Sequence, residues 1–222
     1  MIKKFCLAIS LLLTAVIFTG CTDKKEEYEA YSYTSVETVS SVSIDVRDRV
    51  IEVSPSEDDK VHIDCFESSK ELYNISVSDG GALTMTITDN KEWSDYIGGK
   101  APSDTRKIIL KLPNGALDSL SISTTNEDIS LTPMNVGSIT LESNGGNILF
   151  EKLNAESSVN LNAKNGNISG TIVGSYDDYS VSCSIKKGES NLPSEKEGGT
   201  KKLIVSINNG DVDVNFAENS VQ

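Results

Sequence analysis

The sequence is poor in the residues that catalytic and metal sites use most often. Its 222 residues include one histidine, His62, one tryptophan, Trp93, and four cysteines. A single histidine cannot form a histidine-rich metal site. Neither a Cys-x-x-Cys pair, a P-loop nor a Gly-x-Ser-x-Gly motif occurs in the chain. These absences speak against metal, nucleotide and serine-hydrolase chemistry, so we expect no enzyme activity and no cofactor.

Long apolar runs are also missing, with one exception at the N-terminus. Residues 1–4 are basic, and residues 5–18 are almost wholly apolar. A charged start followed by a short apolar run is typical of a secretory signal and is too short to span a bilayer comfortably. No second apolar run follows, which excludes a polytopic membrane protein.

The end of that apolar run predicts a lipid anchor. Residues 18–21 read FTGC, which resembles a bacterial lipobox with Phe18 in place of the usual Leu, Val or Ile. We therefore expect residues 1–20 to be a lipoprotein signal peptide. Cys21 would then carry the lipid that holds the protein on a bacterial membrane, outside the cytoplasm. An ordinary signal peptide with a chance cysteine is the alternative. Residues 21–39 are polar and charged, and predict a flexible tether after the lipidated cysteine.

Basic residues are outnumbered by acidic ones. Lys and Arg total 20 against 33 Asp and Glu, which gives a net charge of −13. A surface of this sign repels nucleic acid and anionic lipid. The composition therefore excludes a nucleic-acid partner, although it does not name the partner that the protein has.

What the sequence does contain is a short pattern that recurs five times between residues 119 and 216. Each copy has alternating apolar and polar residues, a turn, and a second apolar alternation that opens with Ile or Val in most copies. The corresponding residues near the turns are 19, 20, 22 and 22 positions apart: Asp128, Asn147, Asn167, Glu189 and Asp211. A fixed period near 20 indicates a solenoid, and period-2 alternation indicates strands.

We therefore expect an all-β fold over residues 40–217. The predicted architecture is a single-stranded parallel β-helix (β-solenoid) with coils of about 20 residues, in which N-terminal strands cap one end and residues 218–222 form a tail. Asn and Gly tolerate the positive φ angles of sharp turns, so three Asn-Gly pairs are predicted structural corners. These pairs are Asn144-Gly145, Asn165-Gly166 and Asn209-Gly210.

Taken together, these features resemble a known family. A lipoprotein signal precedes a strand-rich segment that ends in KLPN at residues 111–114. Repeated SxxNGxI-like units follow at 143–148, 163–168 and 207–212. The chain resembles the bacterial DUF4097 family, whose members are also labelled as proposed adhesins. The resemblance implies a β-solenoid and brings no catalytic residues. Some members of the family belong to envelope-stress pathways.

The expected function is that of a non-catalytic, monomeric cell-envelope lipoprotein, an adhesin or surface-binding module for a glycan, an envelope polymer or a protein. An envelope-stress regulatory component that binds a partner is the alternative, and a polysaccharide-active β-helix enzyme is a third. Exposed aromatic side chains suit such surfaces, so the candidate ligand-binding residues are Trp93, Tyr96, Tyr176 and Tyr179. Trp93 could instead plug the end of the solenoid. Cys65 and Cys183 lie on apolar phases of strands, and we expect them to be buried and unbridged.

Overall fold

The structure is a computed structural model that describes residues 26–90 and 101–218, and most of these residues lie in β-strands. Two short 3-10 turns, Ser103–Arg106 and Tyr176–Asp178, are the helical elements of the described residues, and no helix there is long and apolar enough to cross a bilayer. The strands are β1 (Tyr28–Thr34), β2 (Ser41–Asp45), β3 (Val50–Pro55), β4 (His62–Ser68), β5 (Glu71–Val77), β6 (Ala82–Asp89), β7 (Lys107–Leu112), β8 (Ser119–Thr124), β9 (Ile129–Leu131), β10 (Met134–Ser143), β11 (Ile148–Asn165), β12 (Ile168–Val173), β13 (Tyr179–Lys187), β14 (Glu195–Lys196), β15 (Lys201–Asn209) and β16 (Val212–Ala217). The predicted all-β fold is confirmed.

The strands form two ladders that enclose the core. The first ladder has the order β5-β6-β2-β8-β10-β11-β15-β13-β14, and the second has the order β1-β4-β7-β3-β9-β11-β12-β16. The long strand β11 belongs to both. Its residues 148–150 pair with β9 and β12, and its residues 158–165 pair with β10 and β15. The chain therefore passes from one ladder to the other without leaving the sheet.

Alternation of side chains gives each ladder one inner face. In the first ladder, Leu120 is in register with Ile139, which is in register with Val159. All three side chains are buried, as are Ile129 and Ile148 in the second ladder. Burying one such side chain contributes about 1.5–3 kcal/mol. Because a single turn of the chain buries little on its own, stability depends on contacts between neighbouring turns.

The order of the strands in space differs from their order in the chain. β13 precedes β15 in sequence, yet β15 lies between β11 and β13. At the other end, two early strands lie inside the stack. β2 lies between β6 and β8, and β3 lies between β7 and β9. The central pairs are parallel, whereas β1–β4, β4–β7, β5–β6 and β13–β14 are antiparallel. The prediction of one parallel helix that follows chain order is therefore corrected at both ends.

Polar side chains tie the turns together at one corner. The backbone N–H of Asn147 donates to Asp128 Oδ1 at 2.7 Å, and the N–H of Asn167 donates to Asn147 Oδ1 at 2.9 Å. The series continues from the N–H of Asp211 to Asn167 Oδ1, and from the N–H of Glu189 to Asp211 Oδ1, each at 2.9 Å. Glu189 follows Asp211 in this series of hydrogen bonds, although Glu189 comes before Asp211 in the chain. The repeated landmark residues therefore satisfy backbone donors of the neighbouring turn.

Glycines stack beside this ladder. Gly166 and Gly210 have φ angles of +151° and +142°, and a Cβ atom on either would overlap a backbone carbonyl of the neighbouring turn. The carbonyl that faces Gly166 belongs to Gly146, so Gly146 takes the stacked position in its copy, and the predicted corner glycine Gly145 lies beside Asn126. The amides of the predicted corner also interact. Asn209 Nδ2 donates to Asn165 Oδ1 at 2.6 Å, and Asn165 Nδ2 donates to the carbonyl of Asn144 at 3.3 Å.

The segment predicted to be a tether is partly a strand. Within residues 21–39, β1 pairs antiparallel with β4 over seven residues. Tyr28 Oη donates to Glu71 Oε2 at 3.1 Å, and Ser68 Oγ donates to Glu26 Oε1. The prediction of a flexible tether over the whole of 21–39 is therefore wrong from Tyr28 onward. Composition did not reveal this strand because all of β1 except its first residue and Tyr33 is exposed, so it lacks an apolar phase.

The two buried cysteines are free. Cys65 lies on β4 of the second ladder and Cys183 on β13 of the first. Burial raises the pKa of the Cys65 thiol to about 12, with the charge of Glu67 as a smaller cause. A thiol of this kind stays protonated and unreactive near neutral pH.

The segment between β13 and β15 protects the open edges at the C-terminal end of the stack. β14 pairs with β13, and the side chain of Asn191 lies along β16 as a strand would. Val214 N–H donates to Asn191 Oδ1 at 3.0 Å, and Asn191 Nδ2 donates to the Val214 carbonyl at 2.9 Å. This polar segment between β13 and β15 therefore closes a sheet edge.

We expect Asn191→Ala to lower the free energy of unfolding by about 1–3 kcal/mol, since two hydrogen bonds of about 0.5–1.5 kcal/mol each are lost. The freed edge of β16 should also promote self-association. Urea denaturation and sedimentation velocity measure the two effects. Asn191→Asp keeps the acceptor but turns the donor into a carboxylate oxygen that faces the Val214 carbonyl and the Asp213 carboxylate, so it should be at least as destabilising as Asn191→Ala. An Asn191→Ala protein as stable and as monomeric as the parent would contradict this account.

Candidate binding groove

A groove crosses the outer surface of the second ladder where neighbouring strands differ in length. β9 has three residues, whereas its neighbours β3 and β11 have six and 18. The register between β11 and β12 also shifts after Phe150, so β11 bends away at this point. The resulting cavity has a volume of about 450 Å³. That volume lies within the range of ligand-binding pockets.

The outward side chains of five adjacent strands line the groove. Ile109 on β7 is in register with Glu52 on β3, and Glu52 is in register with Ser130 on β9. Leu149 on β11 follows Ser130 in the same row, and Ser169 on β12 follows Leu149. Residues of the inner face reach the floor of the opening: Val53, Leu131, Phe150 and Gly170.

The groove combines apolar surface with oxygen-bearing groups. The Leu149 side chain is 39% exposed although it is a large aliphatic residue. Two carboxylates line the groove, Glu52 and Glu151, together with four hydroxyl groups from Ser54, Ser130, Thr132 and Ser169. Glu52 Oε1 forms an ion pair with Lys107 Nζ at 2.6 Å. These groups can accept and donate hydrogen bonds around an apolar contact, and none of the described lining residues is basic.

The outer surface of the first ladder is different in character. One row of outward positions across its strands contains Ser43, Ser121, Thr140, Asn160 and Ile204. Ile204 is 43% exposed and is the apolar member of this row. Leu149 and Ile204 are therefore aliphatic side chains of similar exposure on opposite ladders.

The aromatic residues predicted to bind a ligand lie elsewhere. Tyr179 is 0% exposed, and its ring packs against Phe216 with centroids 5.5 Å apart. Tyr176 contacts Phe216 edge to face at 5.2 Å, and Lys196 Nζ lies 4.7 Å from its ring centroid. Burial raises the pKa of Tyr179 to about 12. A fully buried ring offers no platform for a ligand, so the prediction that Tyr179 binds a ligand is corrected. Tyr176 is half-buried in the same aromatic cluster.

Three other predicted positions, Trp93, Tyr96 and the lipidation site Cys21, lie outside the described residues. The groove residues Ile109, Glu52 and Leu149 were missed at the sequence level. A signal for two of them exists, because KIIL at 107–110 and ILF at 148–150 place apolar residues on both phases of a strand. An apolar residue on the outward phase has no core to fill.

The fold and these repeats match a described protein family. The sequence profile of Toastrack DUF4097 matches residues 39–221. The chain belongs to the DUF4097 family. No curated protein matches the sequence. The resemblance inferred from the repeats is therefore confirmed, and the all-β, solenoid-like architecture is that of the Toastrack family.

One solved structure supports the fold of this DUF4097 protein. A proposed cell adhesion protein from Clostridium sporogenes superimposes with a TM-score of 0.55 at 12% identity, covering 87% of this chain and 100% of its own. A proposed adhesin from Bacteroides fragilis gives a TM-score of 0.37 at 13% identity, covering 87% and 98%. At such low identity the first likeness shows the fold alone.

Proposed function

We propose that this DUF4097 protein is a non-catalytic surface-binding module that holds its ligand in the groove of the second ladder. The observation that carries the proposal is the position of Leu149, an exposed aliphatic side chain that lines a cavity of about 450 Å³ together with hydroxyls and carboxylates. Binding sites of this size commonly pair apolar surface with a few polar groups that orient the ligand. The structural relative from Clostridium sporogenes is named as a proposed cell adhesion protein, which agrees with a binding role.

The scaffold in this proposal is a short parallel β-helix whose central coils take about 20 residues each, as the pairs Leu120–Ile139 and Ile139–Val159 suggest. A rigid stack of this kind keeps a shallow groove open without a ligand, because its strands are fixed by both neighbours. Binding then requires little ordering of the protein, which favours affinity.

In the same proposal, Cys21 carries a lipid that anchors the module to a bacterial membrane, outside the cytoplasm. Because β1 begins at Tyr28, six residues (22–27) lie between Cys21 and the first strand. The seven Cα–Cα steps from Cys21 to Tyr28 span at most about 25 Å. The domain would therefore stay close to the membrane and act on ligands in the cell envelope or at the cell surface.

Placing a positively charged side chain in the groove tests the proposal. The full chain, purified in detergent, is screened against envelope polymers, matrix proteins and glycans, beside the variants Leu149→Arg and Ile204→Arg. We expect Leu149→Arg to weaken saturable binding about tenfold or more, because the long side chain fills the cavity and places a charge on its apolar surface. Ile204→Arg, equally exposed on the first ladder, should bind as the parent does.

Both variants should melt like the parent, since both positions face outward. The reverse result, binding lost with Ile204→Arg and kept with Leu149→Arg, would place the ligand on the first ladder and refute the groove. Binding to no panel member would also count against a surface-binding role. A search for a partner in the cell's own envelope would then follow.

A further inference from the structure

We infer that the groove takes an extended peptide segment with apolar side chains at positions i and i+4 and a basic residue between them, at i+2. The inference rests on the proposed function, since it names the ligand class of the same groove. Three properties of the groove carry it: the distance between its two aliphatic side chains, the sign of its charges, and the lack of an exposed aromatic ring among the lining residues that the structure describes.

The spacing of the aliphatic residues matches an extended peptide that runs across the strands. Ile109 and Leu149 lie three strands apart in one row, through Glu52 and Ser130. Strands are about 4.8 Å apart, so the two positions are separated by about 14 Å. An extended peptide advances about 3.3 Å per residue, and side chains four residues apart on the same side are about 13 Å apart. Residues i and i+4 can therefore contact Ile109 and Leu149 together.

The charges of the groove favour a basic residue at i+2. That side chain would lie between the two aliphatic contacts, beside Glu52 and Ser130 in the row. Glu151, two residues beyond Leu149, would lie about 10 Å from it, within the combined reach of a Lys and a Glu side chain. Glu52 is already paired with Lys107, whereas Glu151 has no ion pair among the described residues. A cation at i+2 is therefore attracted to a carboxylate, and an acidic residue there would be repelled.

The lining also distinguishes a peptide from a glycan. Sugar rings bind best against exposed aromatic faces, and the aromatic residue that lines the groove, Phe150, is itself buried in the core. Branched aliphatic surface at two separate points suits amino-acid side chains better. Acidic polymers are disfavoured by the net charge of −13. These features together favour a basic, apolar peptide strand.

Synthetic heptapeptides test the inference on the full chain in detergent. The first is acetyl-Ser-Leu-Ser-Lys-Ser-Leu-Ser-amide, which has the expected pattern. Matched peptides replace Lys with Glu, replace both Leu with Ser, or move the second Leu one position closer to the first. We expect saturable binding of the first peptide by fluorescence anisotropy, and binding about tenfold weaker for each matched peptide. Binding should also weaken as the salt concentration rises.

Variants of the protein test whether the peptide binds in the groove. Glu151→Gln should reduce the preference for Lys over Glu in the peptide, and Leu149→Ser should weaken the first peptide about tenfold. Ile204→Ser is the matched control and should leave binding unchanged. Equal binding of the Lys and Glu peptides, no dependence on Leu spacing, or no binding at millimolar peptide would overturn the inference.

The inference and the proposed function can fail separately. If Leu149→Arg abolishes binding of a glycan from the panel while no peptide competes, the groove remains the site and the peptide class is wrong. If peptide binding is specific but insensitive to Leu149→Ser, the peptide binds elsewhere and the inference is refuted, whereas the groove is still decided by Leu149→Arg and Ile204→Arg in the ligand panel.

Discussion

Replacing Gly166 with alanine should lower the free energy of unfolding by about 2–5 kcal/mol. The new Cβ atom would overlap the carbonyl of Gly146 in the neighbouring turn, and the φ angle of +151° is one that alanine rarely adopts. Overpacking costs about 1–3 kcal/mol, and a left-handed conformation adds about 1–2 kcal/mol. For a domain with a total stability of about 5–15 kcal/mol, this is a severe loss.

Gly198→Ala is the matched control for this effect. Gly198 also has a positive φ, +93°, but a Cβ atom there would meet nothing within 4 Å. The substitution should therefore cost only the conformational part, about 1–2 kcal/mol. Urea denaturation curves of the two variants separate strain from steric overlap. Equal losses at both positions would show that the stacked corner is less tightly packed than described.

Removing the carboxylate that faces Arg49 should have a comparable effect. Arg49 and Glu71 form an ion pair at 2.9 Å, with side chains only 2% and 6% exposed. Arg49 Nε also donates to Tyr73 Oη at 2.6 Å. Burial raises the pKa of Tyr73 to about 12, so its hydroxyl stays neutral. Glu71→Gln would leave the guanidinium buried without a counter-charge, which costs about 3–5 kcal/mol.

An exposed ion pair provides the comparison. Glu52 and Lys107 are each 42% exposed, and Glu52→Gln should change stability by about 0–1 kcal/mol. The double variant Arg49→Met, Glu71→Leu removes both charges and should recover most of the loss seen with Glu71→Gln, since apolar pairs often replace buried ion pairs without penalty. Chemical denaturation at neutral pH measures all three variants. If Glu71→Gln were as stable as Glu52→Gln, the Arg49–Glu71 pair would contribute no more than a surface pair.

Local sequence features gave a good account of the strands and of one corner. Alternation predicts which residues face the core, and Leu120, Ile139 and Val159 are buried as a ladder. The landmark residues recur because each donates a backbone N–H to a side-chain oxygen of the preceding turn, as Asn167 does to Asn147. Such contacts repeat at every turn and so leave a period in the sequence. The family followed from the same residues.

The candidate groove and the closure of the sheet edges were much harder to predict from the sequence. Leu149 stands out only as an apolar residue on an outward phase, and nothing local shows that β9 ends early beside it. Asn191 lies in a stretch that reads as a polar loop, yet it binds Val214 23 residues away. Tyr179 was expected at the surface because its neighbours are polar, but Phe216 covers its ring.

By itself, the sequence determined the all-β class, the repeating turn, the inner face of each strand and the family, because all of these depend on residues close together in the chain. Only the tertiary structure decided that β15 inserts between β11 and β13, that β2 and β3 lie inside the stack, and that a groove opens across the second ladder. The physical reason is that every turn presents nearly the same apolar strand and polar corner to its neighbours. A repeated pattern fixes how a turn pairs, and the choice of neighbour depends on packing at the ends of the whole stack.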